Sequence, residues 1–437
     1  MAYSVPIPAR SDLQDSASSW RAILAQAVLL MVMLRTIGML PPDFTPVNFE
    51  DLTEKTFTVQ TATSDLFNQL FWLAMAGLIS IVVWRDPQVI APYLRRLSLL
   101  FVFLAYCVFS AAWATHPDIS IRRSALLVIS VYCLLGALAH CRSTDTVMRT
   151  IYAAFALTLV CNLASLALPF SFDFRGLFRG LSGDKNFLGV IAALGLFAGA
   201  AMRGQLTSLW ARSLNLLYLV GWIAILPLTG AKTAISLTVA APVLALAPLI
   251  AVRGLRLSFL AVVILALMAL FATFSALTEW VGMEPVSLLS LVVSDVSFTG
   301  RDVIWQFIID QWWTRPLFGF GYGSFWGVGF ESPNLSASYD FIRLLTQGHN
   351  GYLDILLTLG GCGMLIFVSF LAQAVAVLNT AYVTKAAHHI LATVTIVFVL
   401  LQNLTDSSFA RGVSATWMFL LVVIFILVRA EEAPSDT

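Results

Sequence analysis

Residues 352–379 read YLDILLTLGGCGMLIFVSFLAQAVAVLN, an apolar run interrupted by a single charged residue, Asp354. A hydrocarbon core of about 30 Å is crossed by about 20 helical residues, so the run predicts a membrane-spanning helix. The rest of the chain repeats the pattern. Of 437 residues, 59% are hydrophobic and 11% charged, and the mean hydropathy is +0.87. Soluble domains carry about 25% charged residues, so the composition excludes a cytosolic globular enzyme and a disordered chain alike. The period-two alternation of an outer-membrane barrel is missing. The expected fold is an all-α polytopic membrane protein, residues 1–437 forming a single membrane domain. Basic and acidic residues nearly cancel, 25 against 24, leaving no basic excess to displace counterions from a nucleic acid. Cys107, Cys133, Cys141, Cys161 and Cys362 lie in or beside apolar runs without a paired spacing, so neither a disulfide framework nor a zinc site follows.

Counted by apolar length, about twelve spans are expected: roughly 21–40, 66–84, 97–114, 124–141, 150–168, 187–202, 213–229, 233–252, 257–277, 352–379, 389–404 and 413–429. Arg10 and Arg21 precede the first run, Arg35 interrupts it and no cleavage site follows, so it reads as a retained span. With a cytoplasmic N-terminus, the connections 41–65, 169–186 and 278–351 face outward. Basic residues divide almost evenly between the sides in raw number, but over the short loops, where the positive-inside rule applies, they favour this orientation.

An ionisable group at membrane depth is a functional hypothesis by default. Lys232, in PLTGAKTAISLTVAAP, follows Gly230 in a tight break between two spans, at a helix start where free N–H groups attract anions. The plain alternative is a lysine that snorkels to the headgroups and marks the helix end. Arg301 opens residues 301–313, an amphipathic aromatic helix suited to the interface plane; its guanidinium can grip two phosphate oxygens or simply a lipid headgroup. Gly319, Gly321, Gly323, Gly327 and Gly329 alternate with aromatics in a spacing that matches no nucleotide loop and predicts a close backbone approach, with packing as the bland alternative. His349 stands in GHNG at the mouth of the tenth span, beside Asn350 and one turn before Asp354, as either a proton carrier or a helix-start residue. His116, His140, His388 and His389 read as turn or interfacial residues.

Read together, TGR at 299–301, PLFGFGYGSF at 316–325 and HNGYLDILLTLG at 349–360 resemble the signature of the O-antigen ligase and Wzy-type polymerase family of bacterial polysaccharide assembly. GLSGDKNFLG at 180–189 and TGAKTA at 229–234 are similar to two further motifs of its exopolysaccharide-polymerase branch. The resemblance implies a GT-C-like fold with a large periplasmic loop, 278–351, between helices 9 and 10. It implies metal-independent, cofactor-free, inverting glycosyl transfer from an undecaprenyl-diphosphate-linked glycan donor to a glycan acceptor, at the periplasmic face of the bacterial inner membrane. His349 corresponds to the base and Arg301 to the diphosphate-binding arginine. A second family arginine falls at Lys232, a departure that keeps the charge and loses the fork, and that favours a polymerase over a ligase acting on lipid A core.

No DxD-like carboxylate pair for a metal stands out, so cations must meet the leaving group's charge. Lys185 joins Lys232 and Arg301 as a candidate, while Arg175, Arg179 and Asn350 are candidates for glycan or headgroup contact. A flippase and a chain-length regulator are the expected partner proteins, beside membrane lipid. A multispan transporter or flippase remains the competing class, against which stand the long outer segment and the lack of a convincing repeat between halves.

Overall fold

The computed structural model describes residues 10–45, 65–255, 300–380 and 386–432. These residues fold into helices and connecting loops, with one isolated bridge between Phe172 and Phe178. In chain order the helices are α1 (Arg10–Thr36), α2 (Leu66–Arg85), α3 (Ala91–Arg96), α4 (Ser98–Phe109), α5 (Pro117–His140), α6 (Thr144–Ser165), α7 (Lys185–Met202), α8 (Leu209–Leu228) and α9 (Lys232–Leu255). After the next described segment begins at Gly300 come α10 (Arg301–Thr314), α11 (Asp340–Arg343), α12 (Gly351–Thr380), α13 (Ala386–Gln402) and α14 (Ala415–Glu432). The chain is a polytopic all-helical membrane protein.

Each expected span except 257–277 falls on one of these helices; 257–277 and the following 278–299 lie outside the described residues. Among the described residues, six helices meet the length and apolarity of a crossing by themselves, or up to seven if the bent pair Pro87–Arg96 and Ser98–Ala112 is one span. That pair turns by 91° at Leu97, so the expected span 97–114 is a short helix fed by a transverse one. The physical reason is local: Pro87 and Pro92 start the first segment, and Arg95 and Arg96 end it.

The centre of the bundle is α14. From Trp417 to Val428 every side chain is buried, as expected of a helix that is apolar on all faces. Helix α8 shows the opposite pattern, exposing Leu216, Leu217, Val220 and Ile223 along a lipid-suited stripe while Tyr218, Trp222 and Ile225 turn inward. Small residues let the inner helices close up: a Cβ on Gly195 of α7 would stand 2.7 Å from the indole nitrogen of Trp222.

Successive long helices run antiparallel and gather one set of loops at a common end, here called the site end. Arg35 Nη2 donates to Asn68 Oδ1 (2.8 Å), joining the end of α1 to the start of α2. Asp43 N donates to Leu181 O and Phe178 N to Leu228 O, which draws in the loop before α7 and the end of α8. Tyr322 N donates to Ser110 Oγ and Gly351 N to Asn403 O, adding the end of α4 and the facing ends of α12 and α13. At the opposite end, Arg429 Nη1 donates to Leu138 O and Ala139 O, and so closes the C-terminus of α5.

The glycine-rich segment is seated on a break in α12. Gly360 adopts φ 67°, ψ −172°, and interrupts the helix. Gly361 N then donates to Pro316 O (2.8 Å), Cys362 N to Leu317 O (3.1 Å), and Phe320 N to Leu357 O (3.1 Å). A broken span is tolerated in a membrane protein when another segment meets the freed backbone groups, as residues 316–320 do here. A Cβ on Gly360 would sit 2.3 Å from Leu317 O, so the close approach expected of this segment requires glycine on α12 as well.

Arg123 of α5 secures the other side of the segment, donating to the carbonyls of Gly323, Trp326 and Gly327. Charge-assisted bonds to half-buried carbonyls are worth more than neutral ones, and unmade they leave each acceptor unsatisfied. Arg123→Ala is expected to destabilise the fold by about 2–4 kcal/mol, with Arg123→Lys recovering only part because one ammonium does not span three acceptors. Thermal unfolding of the detergent-solubilised variants measures this, and an unchanged midpoint for Arg123→Ala contradicts it.

Candidate functional site

His349 is presented by a three-residue turn. Gly348 N donates to both carboxylate oxygens of Asp354 (3.1 Å each), Asn350 N donates to Ser407 Oγ (3.0 Å), and His349 between them has φ +50°. Left-handed backbone is rare outside glycine, and for a histidine such a conformation costs on the order of 1–3 kcal/mol, so the surrounding bonds must hold it. Asn350 caps α12: its Oδ1 accepts from Tyr352 N and Leu353 N (3.1 Å each), and its Nδ2 donates to Leu404 O (3.4 Å). The side chain read as a glycan contact is thus engaged in starting the helix that carries the site.

Arg301 begins α10, directly after Gly300 in left-handed conformation, and Ile304 and Ile308 bury one face of that helix. Helix α10 packs against α12, which brings the guanidinium and the imidazole into one electrostatic field. Burial pushes the His349 pKa down. Asp406 and Asp354 oppose that shift, while Arg301 and Arg411 add to it. The net result is an imidazole that stays neutral to lower pH than an ordinary histidine. Arg301 is half-buried; burial pushes its pKa down, and the charge of Asp406 opposes that shift.

Asp406 ties the groups together. Its Oδ1 accepts from Gln347 Nε2 (3.2 Å) and Ser407 N (2.9 Å), and its Oδ2 accepts from Gln402 Nε2 (3.1 Å). The same Gln347 amide lies 3.5 Å from His349 Nδ1. Arg411 stands on the other flank, Nη2 3.7 Å from Asp354 Oδ2 and donating to Thr346 O (3.2 Å). One imidazole, two guanidiniums and two carboxylates therefore gather from the start of α10, the turn into α12 with its first helical turn, and the connection from α13 to α14.

A second group of cations lies at the same end, on the loop before α7 and the start of α9. Lys185 Nζ is 3.7 Å from Asp173 Oδ2. Arg175 is exposed, its guanidinium over the ring of Phe174 at 5.0 Å. Arg179 is different: it is 2% exposed and donates to Phe170 O, Gly183 O and Thr45 O, with Asp43 at 3.4 Å. Its charge closes the loop and ties it to the segment after α1, and nothing in its geometry presents it to a glycan or headgroup. Lys232 is exposed at the first residue of α9, after the Gly230 turn. The packing of α10 on α12 and the shared charge effects thus join Arg301 to His349, whereas Lys232, Lys185 and Arg175 surround the same end from the α7–α9 side.

Sequence reasoning singled out His349 and Arg301 but gave no role to Asp354, and missed Asp406, Arg411 and Gln347 altogether. The available signal was NLTDSSFARG at 403–412, a short connection between long apolar runs that holds an acid and a base.

Comparison with known proteins agrees with the motifs. Residues 216–368 match the family described as O-Antigen ligase, a range that takes in Lys232, Arg301, His349 and Asp354 and stops before Asp406. Over 331 residues the chain is 26% identical to the exopolysaccharide production protein ExoQ of Rhizobium meliloti, covering 72% of this chain and 72% of the relative. The resemblance expected from the short motifs is borne out on both counts.

Proposed function

We propose, from the kinship with O-antigen ligases and with ExoQ, that this chain is a glycosyltransferase polymerising undecaprenyl-diphosphate-linked repeat units into an exopolysaccharide or O-antigen chain. The observation that carries the proposal is the half-buried His349, its pKa pushed down by burial, on a turn packed against the helix that Arg301 opens. In this reading His349 takes the proton from the acceptor hydroxyl as its oxygen bonds to the anomeric carbon of the donor. The bond from that carbon to the diphosphate oxygen breaks on the opposite face, so the configuration inverts and the lipid diphosphate leaves with the electron pair. Arg301, with Lys232 and Lys185 nearer the α7–α9 side, meets the charge that develops on the leaving group. The site end faces the periplasm of the inner membrane, with the isoprenoid chain along the apolar bundle, and a flippase and a chain-length regulator work beside it.

The description of the matching family supports a second reading, transfer of finished glycan onto lipid A core. The ExoQ relative supports the first. Purified protein in lipid, supplied with a defined undecaprenyl-diphosphate repeat, separates them. A ladder of lipid-linked oligomers is expected; product only when lipid A core is added favours the ligase. Movement of donor across the bilayer without any transfer would return the chain to the transporters.

Lys232 offers a sharper test of the leaving-group role. Lys232→Arg is expected to retain turnover within a few-fold, whereas Lys232→Ala should lose about 10-fold or more in kcat/KM for the donor. Equal behaviour of the two variants would make Lys232 a helix-end marker only.

A further inference from the structure

We propose that Asp354 is a positioning residue for the transfer, its carboxylate joining three separate segments into the seat that presents His349. The proposal rests on the reading of His349 as the base. An acid in the first turn of a helix ordinarily needs no more than its own helix N-terminus to be favourable there. Asp354 is instead occupied by groups from elsewhere in the chain. Its Oδ1 accepts from Trp326 Nε1 at 2.8 Å, its two oxygens share the N–H of Gly348 at 3.1 Å, and its Oδ2 faces Arg411 Nη2 at 3.7 Å.

Those three donors come from the glycine-rich segment, the histidine turn and the α13–α14 connection. Each segment has its own further anchor. Arg123 holds the carbonyl of Trp326, Arg411 also reaches Thr346 O, and Tyr322 donates its hydroxyl to Ala410 O. Gly348 is buried so tightly that a Cβ there would meet Ile308 Cδ1 at 2.3 Å and Asp354 Oδ1 at 2.8 Å. The residue after this fixed point is the left-handed His349. Such backbone persists only where its surroundings over-determine it, and the bond from Gly348 to Asp354 is one of the two restraints that flank it, with that from Asn350 to Ser407 on the other side. Cutting it lets the imidazole drift, and a misplacement of about 1 Å is enough to cost on the order of 100-fold in a reaction that depends on alignment.

The test uses the full chain in lipid with the undecaprenyl-diphosphate repeat as donor. Asp354→Ala is expected to lower kcat about 100-fold while KM for the donor changes less than about 3-fold. Trp326→Phe, which keeps an aromatic side chain and removes the indole donor, should lose about 5- to 10-fold in kcat. Asp354→Asn keeps an oxygen for Gly348 and Trp326 but drops the charge. Its kcat should fall less than that of the alanine variant, and the acid limb of its pH profile should move to lower pH. The charged groups that act on His349 are Asp406, Asp354, Arg301 and Arg411, and the substitution removes one of the two acids that favour its protonated form.

Wild-type kcat in Asp354→Ala, or a loss confined to KM, overturns the proposal. Should the alanine variant fail to fold, the split between kcat and KM in Trp326→Phe and the pH shift in Asp354→Asn decide it: unchanged kcat in the first together with an unmoved limb in the second overturns it. Failure of the underlying reading looks different, because then the wild-type protein transfers no sugar, or His349→Ala transfers it normally.

Discussion

His349→Ala is expected to reduce glycosyl transfer by about 10³- to 10⁴-fold, to the level of an assay without a base, while the protein still folds and inserts. The side chain is half-buried on a loop between α10 and α12, and its interactions stabilise the bundle little: its contact with Gln347 Nε2 is 3.5 Å long. Thermal unfolding should therefore change by little, since alanine keeps the Cβ that makes φ +50° costly and leaves that strain much as it was. Activity should respond to pH with a defined sign. The base works as neutral imidazole. Burial depresses its pKa, reinforced by Arg301 and Arg411 and only partly opposed by Asp406 and Asp354. Transfer in the wild-type protein should thus hold its full rate through neutral pH and fall only on acidification below the ordinary histidine range. Removing Asp406 as Asp406→Asn should move that acid limb lower still, because the acid that most favours the imidazolium is gone. An undiminished turnover by His349→Ala with intact donor would exclude the imidazole from the chemistry.

Loss of Arg301 should have the next largest effect. Arg301→Ala is expected to cost about 10²- to 10³-fold in kcat/KM for the lipid-diphosphate donor, the range seen when a preorganised charge at a developing anion is removed. Arg301→Lys should recover part of this, since the charge returns without the planar fork that grips two oxygens. The position explains why the loss should be large. Arg301 is half-buried at the start of α10, where burial works against its charge and Asp406 opposes that shift. The readout that separates a diphosphate contact from general weakening is donor choice. Wild-type protein should strongly prefer a diphosphate-linked to a monophosphate-linked sugar, and in Arg301→Ala that preference should shrink. A variant that loses rate on both donors by the same factor would assign Arg301 to structure.

Much of this site was visible in the order of residues. His349 and Arg301 are polar groups at the edges of apolar runs, and polar groups in lipid are costly enough to be conspicuous. Arg179 shows where that logic stops. It is as conspicuous as Arg301 in sequence, yet its guanidinium is consumed by the carbonyls of Phe170, Gly183 and Thr45. Asn350 likewise looked like a ligand and acts as a helix cap. Asp354 and Asp406 went unused because an acid's role depends on what faces it, and their partners come from elsewhere: Trp326 and Arg411 lie 28 and 57 positions from Asp354, and Gln347 lies 59 positions from Asp406.

By itself the sequence determined the solvent, the helical class and the connections on which chemistry could sit, because these follow from local sums: apolar length against bilayer thickness, and the cost of charge in hydrocarbon. It did not determine that 87–112 is a bent pair, that α14 is the hub, or which cations look into the site and which are spent on carbonyls. Those are decided by lateral packing. A lipid-facing helix and a core helix have nearly the same apolar composition, and a guanidinium has the same formula whether backbone or substrate meets it. Only the tertiary arrangement supplies the partner, and with it the meaning of the charge.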